Sequence, residues 1–163
     1  MRHGAELRQV MARLAPDLDP DDLLHELFVL ALQKAAALNA AQSPRAWLFG
    51  VAVKLAATRR RTARLRQFFG LEAALELPSV DAPSRSCEQR DAQVLVARIL
   101  ARLSPVRREV LVLFELQGLT GLEISEALAI PLKTVWTRLF HARRQFAQVL
   151  EAEAPSSAVG VES

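Results

Sequence analysis

An all-α fold of two small helical domains is predicted by three features of this 163-residue chain. Strand signals are missing, because no stretch alternates apolar and polar residues with β-branched enrichment. Apolar residues recur instead at three- and four-residue spacing. Helix starts are marked by a capping residue followed by proline, at Asp19-Pro20, Ser43-Pro44 and Ser104-Pro105. The stretch LPSVDAPSRS at 77–86 has two prolines, three serines and no apolar period, which reads as a linker. The expected division is a first domain at 1–72, a flexible linker at 73–88, a second domain at 89–152 and a disordered tail at 153–163.

A short first helix is expected over 6–14, ending before Pro16. Asp19 caps the second, with Pro20 at its first position and Asp21 and Asp22 in the first turn, where carboxylates suit the helix dipole. It runs to about Leu38. Ser43-Pro44 starts a third helix that reaches about Arg66. A helix over 88–103 opens the second domain, and Ser104-Pro105 opens the next, with Gly118 as its C-cap.

The sequence from Leu119 to Arg144 then reads as two helices joined by a tight turn. Thr120 and Glu123 fit a capping box. Leu122, Ile124 and Leu128 are the expected buried residues of that helix. Pro131 turns Ile130 away from helical geometry and starts the last helix. There Val135, Leu139, Ala142 and Phe146 form the inward stripe. Lys133, Trp136, Thr137, Phe140, His141 and Arg144 are left facing outward. Capping box, proline turn and basic front together suit a helix-turn-helix, whose second helix enters the DNA major groove. The plainer alternative is a generic helical hairpin.

Half the residues are apolar (51%), so a core can form. No apolar run reaches the roughly 18 residues needed to span a membrane. The start, MRHGAELRQVMARL, lacks a signal-peptide core. A single cysteine, Cys87, excludes an internal disulfide and suits a reducing compartment, so cytoplasm is the expected location. His3, His25 and His141 do not fall at metal-ligand spacing with Cys87, so no metal is expected. No nucleophile–base pair, phosphate-binding glycine loop or catalytic carboxylate pair is evident. The expectation is a protein without cofactor or enzyme activity.

The net charge of +3 is unevenly spread. Residues 1–70 hold 11 Lys/Arg against 6 Asp/Glu, and residues 89–150 hold 9 against 5. Between them, 71–88 hold 1 against 4, and 151–163 hold 0 against 3. Two basic blocks around an acidic connector suit two polyanion-facing units. The third helix concentrates this charge. Behind an apolar stripe of Trp47, Leu48, Val51 and Leu55 stand Lys54, Arg59, Arg60, Arg61, Arg64 and Arg66, with no acid from Lys54 to Arg66. Such a run would bind phosphates with strong salt dependence; the plainer alternative is a solvated helix end. The second helix carries a wide apolar face of Leu23, Leu24, Leu27, Phe28 and Ala31, opposite Asp22, His25 and Glu26. A core helix explains those leucines. Arg138 is expected to brace the last two helices through Glu123 or Glu126, and Phe68 and Phe69 to cap the first domain.

The order of these features resembles the extracytoplasmic-function (ECF) sigma factors, two-domain specificity subunits of bacterial RNA polymerase. The resemblance rests on Asp22, Leu23, Glu26 and Phe28, then Trp47, Leu48, Ala52 and Arg60. In the second domain it rests on Leu103, Pro105, Arg108, Leu113, Glu123, Ile124, Thr134, Val135, Arg138, Leu139, Ala142 and Arg143. It implies promoter-directed transcription initiation. Core polymerase would be bound at its largest-subunit clamp and its flap, and promoter DNA both as duplex and as melted strand. An anti-sigma factor is the implied keeper. The resemblance puts Asp22, Glu26, Leu27 and Phe28 at the polymerase. It puts a loop at about Asn39 to Ser43 on a flipped minus-ten base, and Lys54, Arg59, Arg60 and Arg61 on the melted strand. Lys133, Trp136, Thr137, Phe140, His141 and Arg144 would read the minus-thirty-five element. Trp136 stands where a basic residue is usual; an indole accepts no hydrogen bond, so it would read shape or a thymine methyl. His25 and Lys54 depart from the usual glutamine and asparagine, Lys133 stands where glycine is usual, and the first helix is shorter than usual. Two alternatives stay open: a stand-alone helix-turn-helix regulator, and a sigma-like decoy or adaptor that binds only protein partners.

Overall fold

The computed structural model describes residues 3–70 and 87–153. Among the described residues there are eight α-helices and no strand. They are α1 (Gly4–Leu14), α2 (Pro20–Gln33), α3 (Ala35–Ala40), α4 (Pro44–Phe68), α5 (Cys87–Arg102), α6 (Pro105–Leu111), α7 (Gly121–Leu128) and α8 (Leu132–Glu153). A π-helical turn, Val112–Leu116, continues α6. The expected linker lies outside the described residues through position 86, and Cys87 and Glu88 already belong to α5. The expected tail lies outside them from residue 154. No helix among the described residues is long and apolar enough to cross a membrane.

The first half is built on α1, short as expected. It buries Leu7, Val10, Met11 and Leu14, and it packs on α2 and α4. Arg8 on α1 donates from Nε to Asp21 Oδ1 at 2.7 Å and from Nη2 to Oδ2 at 2.9 Å, tying α1 to the first turn of α2. The hydrogen-bonded guanidinium holds the Asp21 carboxyl below its ordinary range. Asp19 caps α2 by accepting from the Asp21 backbone N–H at 2.8 Å. The helix stops earlier than expected, at Lys34, whose φ of −108° and ψ of 27° break the helical run. The alanine-rich α3 that follows buries no residue, so no packing aligns it with α2.

Ser43 caps α4, its Oγ accepting from the Ala46 N–H at 3.2 Å. The buried residues of α4 are Ala46, Phe49, Gly50, Ala52, Val53, Leu55 and Ala56. Of the expected stripe only Leu55 is fully buried; Trp47, Leu48 and Val51 are half-buried. The reason is that α4 is covered on more than one side, by α1, α2 and α7. Phe68 and Phe69 do not cap the domain. Phe68 is 83% and Phe69 67% exposed, and the two rings meet each other edge to face at 5.4 Å.

In the second half α6 packs along α8. Arg108 is buried, and its guanidinium caps the end of α5 by donating to Leu100 O, Ala101 O and Leu103 O at 2.7, 2.9 and 3.1 Å. Orphan carbonyls at a helix end are thereby satisfied. Gly118, at φ +66°, ends the π turn in the left-handed region. The capping box of α7 is complete, with both the Thr120 and the Glu123 bonds present. Ile124 is buried and Leu128 half-buried, but Leu122 faces solvent, opposite to expectation, because α7 turns only one narrow stripe inward. In α8 Val135, Leu139 and Ala142 are buried and Phe146 is half-buried. This helix runs one residue into the expected tail. Its last residue, Glu153, pairs with Arg98 and Arg102 of α5 at 2.7 and 2.6 Å.

The buried side chains of both halves form one contiguous cluster. A close approach lies at Gly50 of α4: a Cβ there would lie 2.5 Å from the Ala127 carbonyl oxygen of α7. No larger residue fits without parting the helices.

Candidate nucleic-acid and polymerase interfaces

Three surfaces carry the residues singled out in the sequence. The first is α2. Asp22 is exposed and Glu26 and Phe28 are half-buried, but Leu27 is wholly buried in the core. Leu27, expected at the polymerase, therefore offers no surface and instead holds α2 in place. Two apolar residues not singled out in the sequence lie open on this helix. Val29 and Leu32 are exposed, Leu32 at 78%. Positions 22, 25, 29 and 32 share one helical face, so Asp22, His25, Val29 and Leu32 form an outward strip that is acidic at its start and apolar at its end. The signal was present: α2 has more leucines and valines than one buried stripe holds.

The second surface is the start and middle of α4. Asn39 lies inside α3 rather than in a loop. Ser43 is half-buried and engaged twice, capping α4 and donating from Oγ to Glu123 Oε1 of α7 at 3.1 Å. Next to it, Arg45 Nη2 donates to Gln117 O at 2.8 Å, just past the π turn. The basic run is less available than its sequence suggests. Arg59 pairs with Glu26 of α2 at 2.6 Å. Arg60 reaches into the junction between the halves, donating to Leu14 O and, at 2.9 Å, to Glu109 Oε1. Arg108 donates to the same Leu14 carbonyl at 3.2 Å. Side-chain exposure of the Arg60–Glu109 pair is only 11% and 10%. Burial pushes the Glu109 carboxyl above its ordinary range, against the pull of Arg60. Arg60 is thus corrected from a surface cation to a junction residue. Lys54, Arg61, Arg64 and Arg66 are exposed.

Glu123 stands at a crossing point. It accepts from the Thr120 backbone N–H at 2.9 Å and from the Ser43 hydroxyl. Chiefly the backbone N–H, and then the hydroxyls and Arg45, hold its carboxyl below the ordinary range, with partial burial opposing. It is therefore not the partner of Arg138. No ion pair links Arg138 to Glu123 or Glu126 among the described residues; its charge acts on Glu109.

The third surface is the front of α8. Lys133, Trp136, Thr137, Phe140, His141 and Arg144 are all exposed. Trp136 is at 47%, its indole edge against Gly121 and its ring 5.6 Å from Phe114, edge to face. Such a face has the dimensions of a single helix and presents three cations or cation-formers around two aromatic rings.

The chain matches the family model described as sigma-70 region 2 over residues 1–66 and that of sigma-70 region 4 over residues 93–146. It is 31% identical over 162 residues to the RNA polymerase sigma factor CnrH of Cupriavidus metallidurans, covering 94% of this chain and 85% of that one. It is 30% identical over 151 residues to the ECF RNA polymerase sigma factor SigL of Mycobacterium tuberculosis, covering 91% and 85%. Among solved structures, CnrH in complex with the cytosolic domain of CnrY superposes with a TM-score of 0.63 at 27% identity, covering 94% and 85%. The sigma factor RpoE in complex with the anti-sigma factor NepR, from Bartonella quintana, superposes with a TM-score of 0.73 over 92% of both chains; at 20% identity it shows a shared fold.

Proposed function

The chain belongs to the sigma-70 family, among its extracytoplasmic-function (ECF) sigma factors, and on that premise we propose how its surfaces divide the work of directing core RNA polymerase to promoters. The helix α2 docks on the polymerase clamp through Asp22, Glu26 and Phe28, joined by Val29 and Leu32 of its outward strip. The start of α4 captures the minus-ten element as single strand, with Ser43 and the nearby Asn39 at a flipped base and Lys54, Arg59 and Arg61 along the phosphates. The front of α8 reads the minus-thirty-five element as duplex, the second domain resting on the polymerase flap. The protein acts in the cytoplasm, where polymerase and promoter are, and needs no cofactor.

The observation that carries this reading is the presence of both sigma-70 regions, in order, in one chain. A stand-alone regulator leaves the apolar strip of α2 without a task. The packed arrangement adds a sequence of events. Ser43 is engaged by the second half of the molecule, so the halves must part before the minus-ten surface is complete. An anti-sigma factor would act by keeping them together.

The test is transcription with purified core polymerase, with and without this protein, on a genomic template. New start sites sharing an upstream and a minus-ten element are expected. Unchanged start sites would refute the proposal.

A further inference from the structure

The front of α8 carries two aromatic rings where a DNA-reading helix ordinarily displays hydrogen-bonding side chains. Trp136 is 47% exposed and Phe140, one turn on, is 63% exposed. They line one shallow groove with Leu139, Arg143 and Arg144. Trp136 is not a loose surface residue. Its indole is seated by an absence: a Cβ on Gly121 would lie 2.5 Å from Trp136 Cζ2 and 2.9 Å from Cη2. On another side it meets the Phe114 ring edge to face at 5.6 Å. Phe114 is itself covered by the Arg143 guanidinium, 5.4 Å from its centroid, and Arg143 Nε is fixed by Glu115 Oε1 at 2.6 Å. Arg143 is therefore committed to this stack, leaving Lys133 and Arg144 as exposed cations of the face.

We propose that Trp136 and Phe140 form a preorganised apolar reading head that selects thymine through its 5-methyl group in the upstream duplex, with Gly121 and Phe114 as positioning residues. This rests on the duplex-reading role assigned to α8 above. The major-groove edge of a base pair offers donors, acceptors and one apolar group, the thymine methyl. An indole has one donor and no acceptor, and a phenyl ring has neither. Both rings gain by covering a methyl; neither accepts from the cytosine amino group, and the phenyl ring also leaves the guanine acceptors unpaired. Lys133 and Arg144 hold phosphates on either side and set the register without adding base preference. Fixing the indole before binding lowers the ordering cost of the contact.

The experiment uses holoenzyme assembled from core polymerase and the full chain. Its probes are duplexes selected from a library randomised across the upstream element. In the selected duplexes each thymine is replaced singly by uracil, which removes the 5-methyl and leaves pairing intact. At one or two positions uracil should weaken binding about three- to fivefold, the weight of one buried methyl. Trp136→Ala should bring that thymine-to-uracil ratio to one. Gly121→Ala should displace the indole and lower the ratio while affinity for the uracil-substituted duplex stays the same, an outcome that a purely structural glycine would not give. Equal affinity for thymine and uracil at every upstream position overturns this proposal alone, as does a ratio that survives Trp136→Ala. A holoenzyme that selects no upstream sequence removes the duplex-reading role and this proposal together.

Discussion

The fronts of α4 and α8 are alike in sequence and unlike in the folded molecule. Both are long helices with an apolar back and a cationic front. On α8 all six outward residues are exposed. On α4 the hydroxyl of Ser43 is held by Glu123, Arg59 by Glu26 and Arg60 by Glu109. Each of these acids comes from another helix, two of them from the other half of the chain. The difference teaches that a basic run shows how much charge is present, while its availability depends on acids distant in sequence. On the roles proposed above, the two promoter elements would have unequal access in the packed state, α8 standing ready for duplex and α4 being partly occupied.

The sharpest way to break this comparison is within the run itself. Arg60→Ala leaves Glu109 buried without its partner and should cost about 3–5 kcal/mol in urea unfolding. Arg61→Ala, one residue on, should change stability by less than about 0.5 kcal/mol. Arg61→Ala should instead lower the salt slope of single-strand binding by about 0.7 per lost phosphate contact. Equal effects of the two on stability would erase the distinction between junction and surface cations.

Next in size is Gly50→Val. Its side chain cannot fit against the Ala127 carbonyl oxygen, and overpacking of this kind costs about 1–3 kcal/mol. The strain is relieved by separating α4 from α7, so small-angle scattering should report a larger radius of gyration. Binding of a minus-ten single strand should rise by up to about tenfold, with upstream duplex binding unchanged. A compact Gly50→Val protein with unaltered strand affinity would show that the contact masks nothing.

A smaller effect is expected from Thr120→Ala, which removes half of the capping box. It should cost about 1 kcal/mol, read by thermal unfolding, and also free Glu123 from one of its partners. The smallest concerns acid. The Glu123 carboxyl is held below its ordinary range in the folded state. Its contribution is therefore complete above the unfolded-state value and is lost as pH falls through the lowered one. Acid titration should loosen the Ser43 contact only below the ordinary carboxylate range, and Glu123→Gln should remove that part of the pH dependence. Loss of the contact already near neutral pH would contradict the assignment.

Much was legible in the sequence alone because its causes are local. The caps at Asp19, Ser43 and Thr120, the turn at Pro131 and the inward stripe of α8 each follow from residues within one or two turns of each other. A helix with a single buried stripe, like α8, declares its buried face by its period, and its outward residues follow by subtraction. Tertiary structure alone decided the rest. Phe49 is wholly buried, and Leu32 and Leu122 are left outside, because the neighbours of α2, α4 and α7 cover sides that each helix's own period does not specify and leave others bare. Arg60 and Ser43 lost their place on an open surface because Glu109 and Glu123 arrive from the second half. Periodicity records which side chains avoid water, whereas the partner that covers or neutralises each one is set by contacts between helices far apart in the chain.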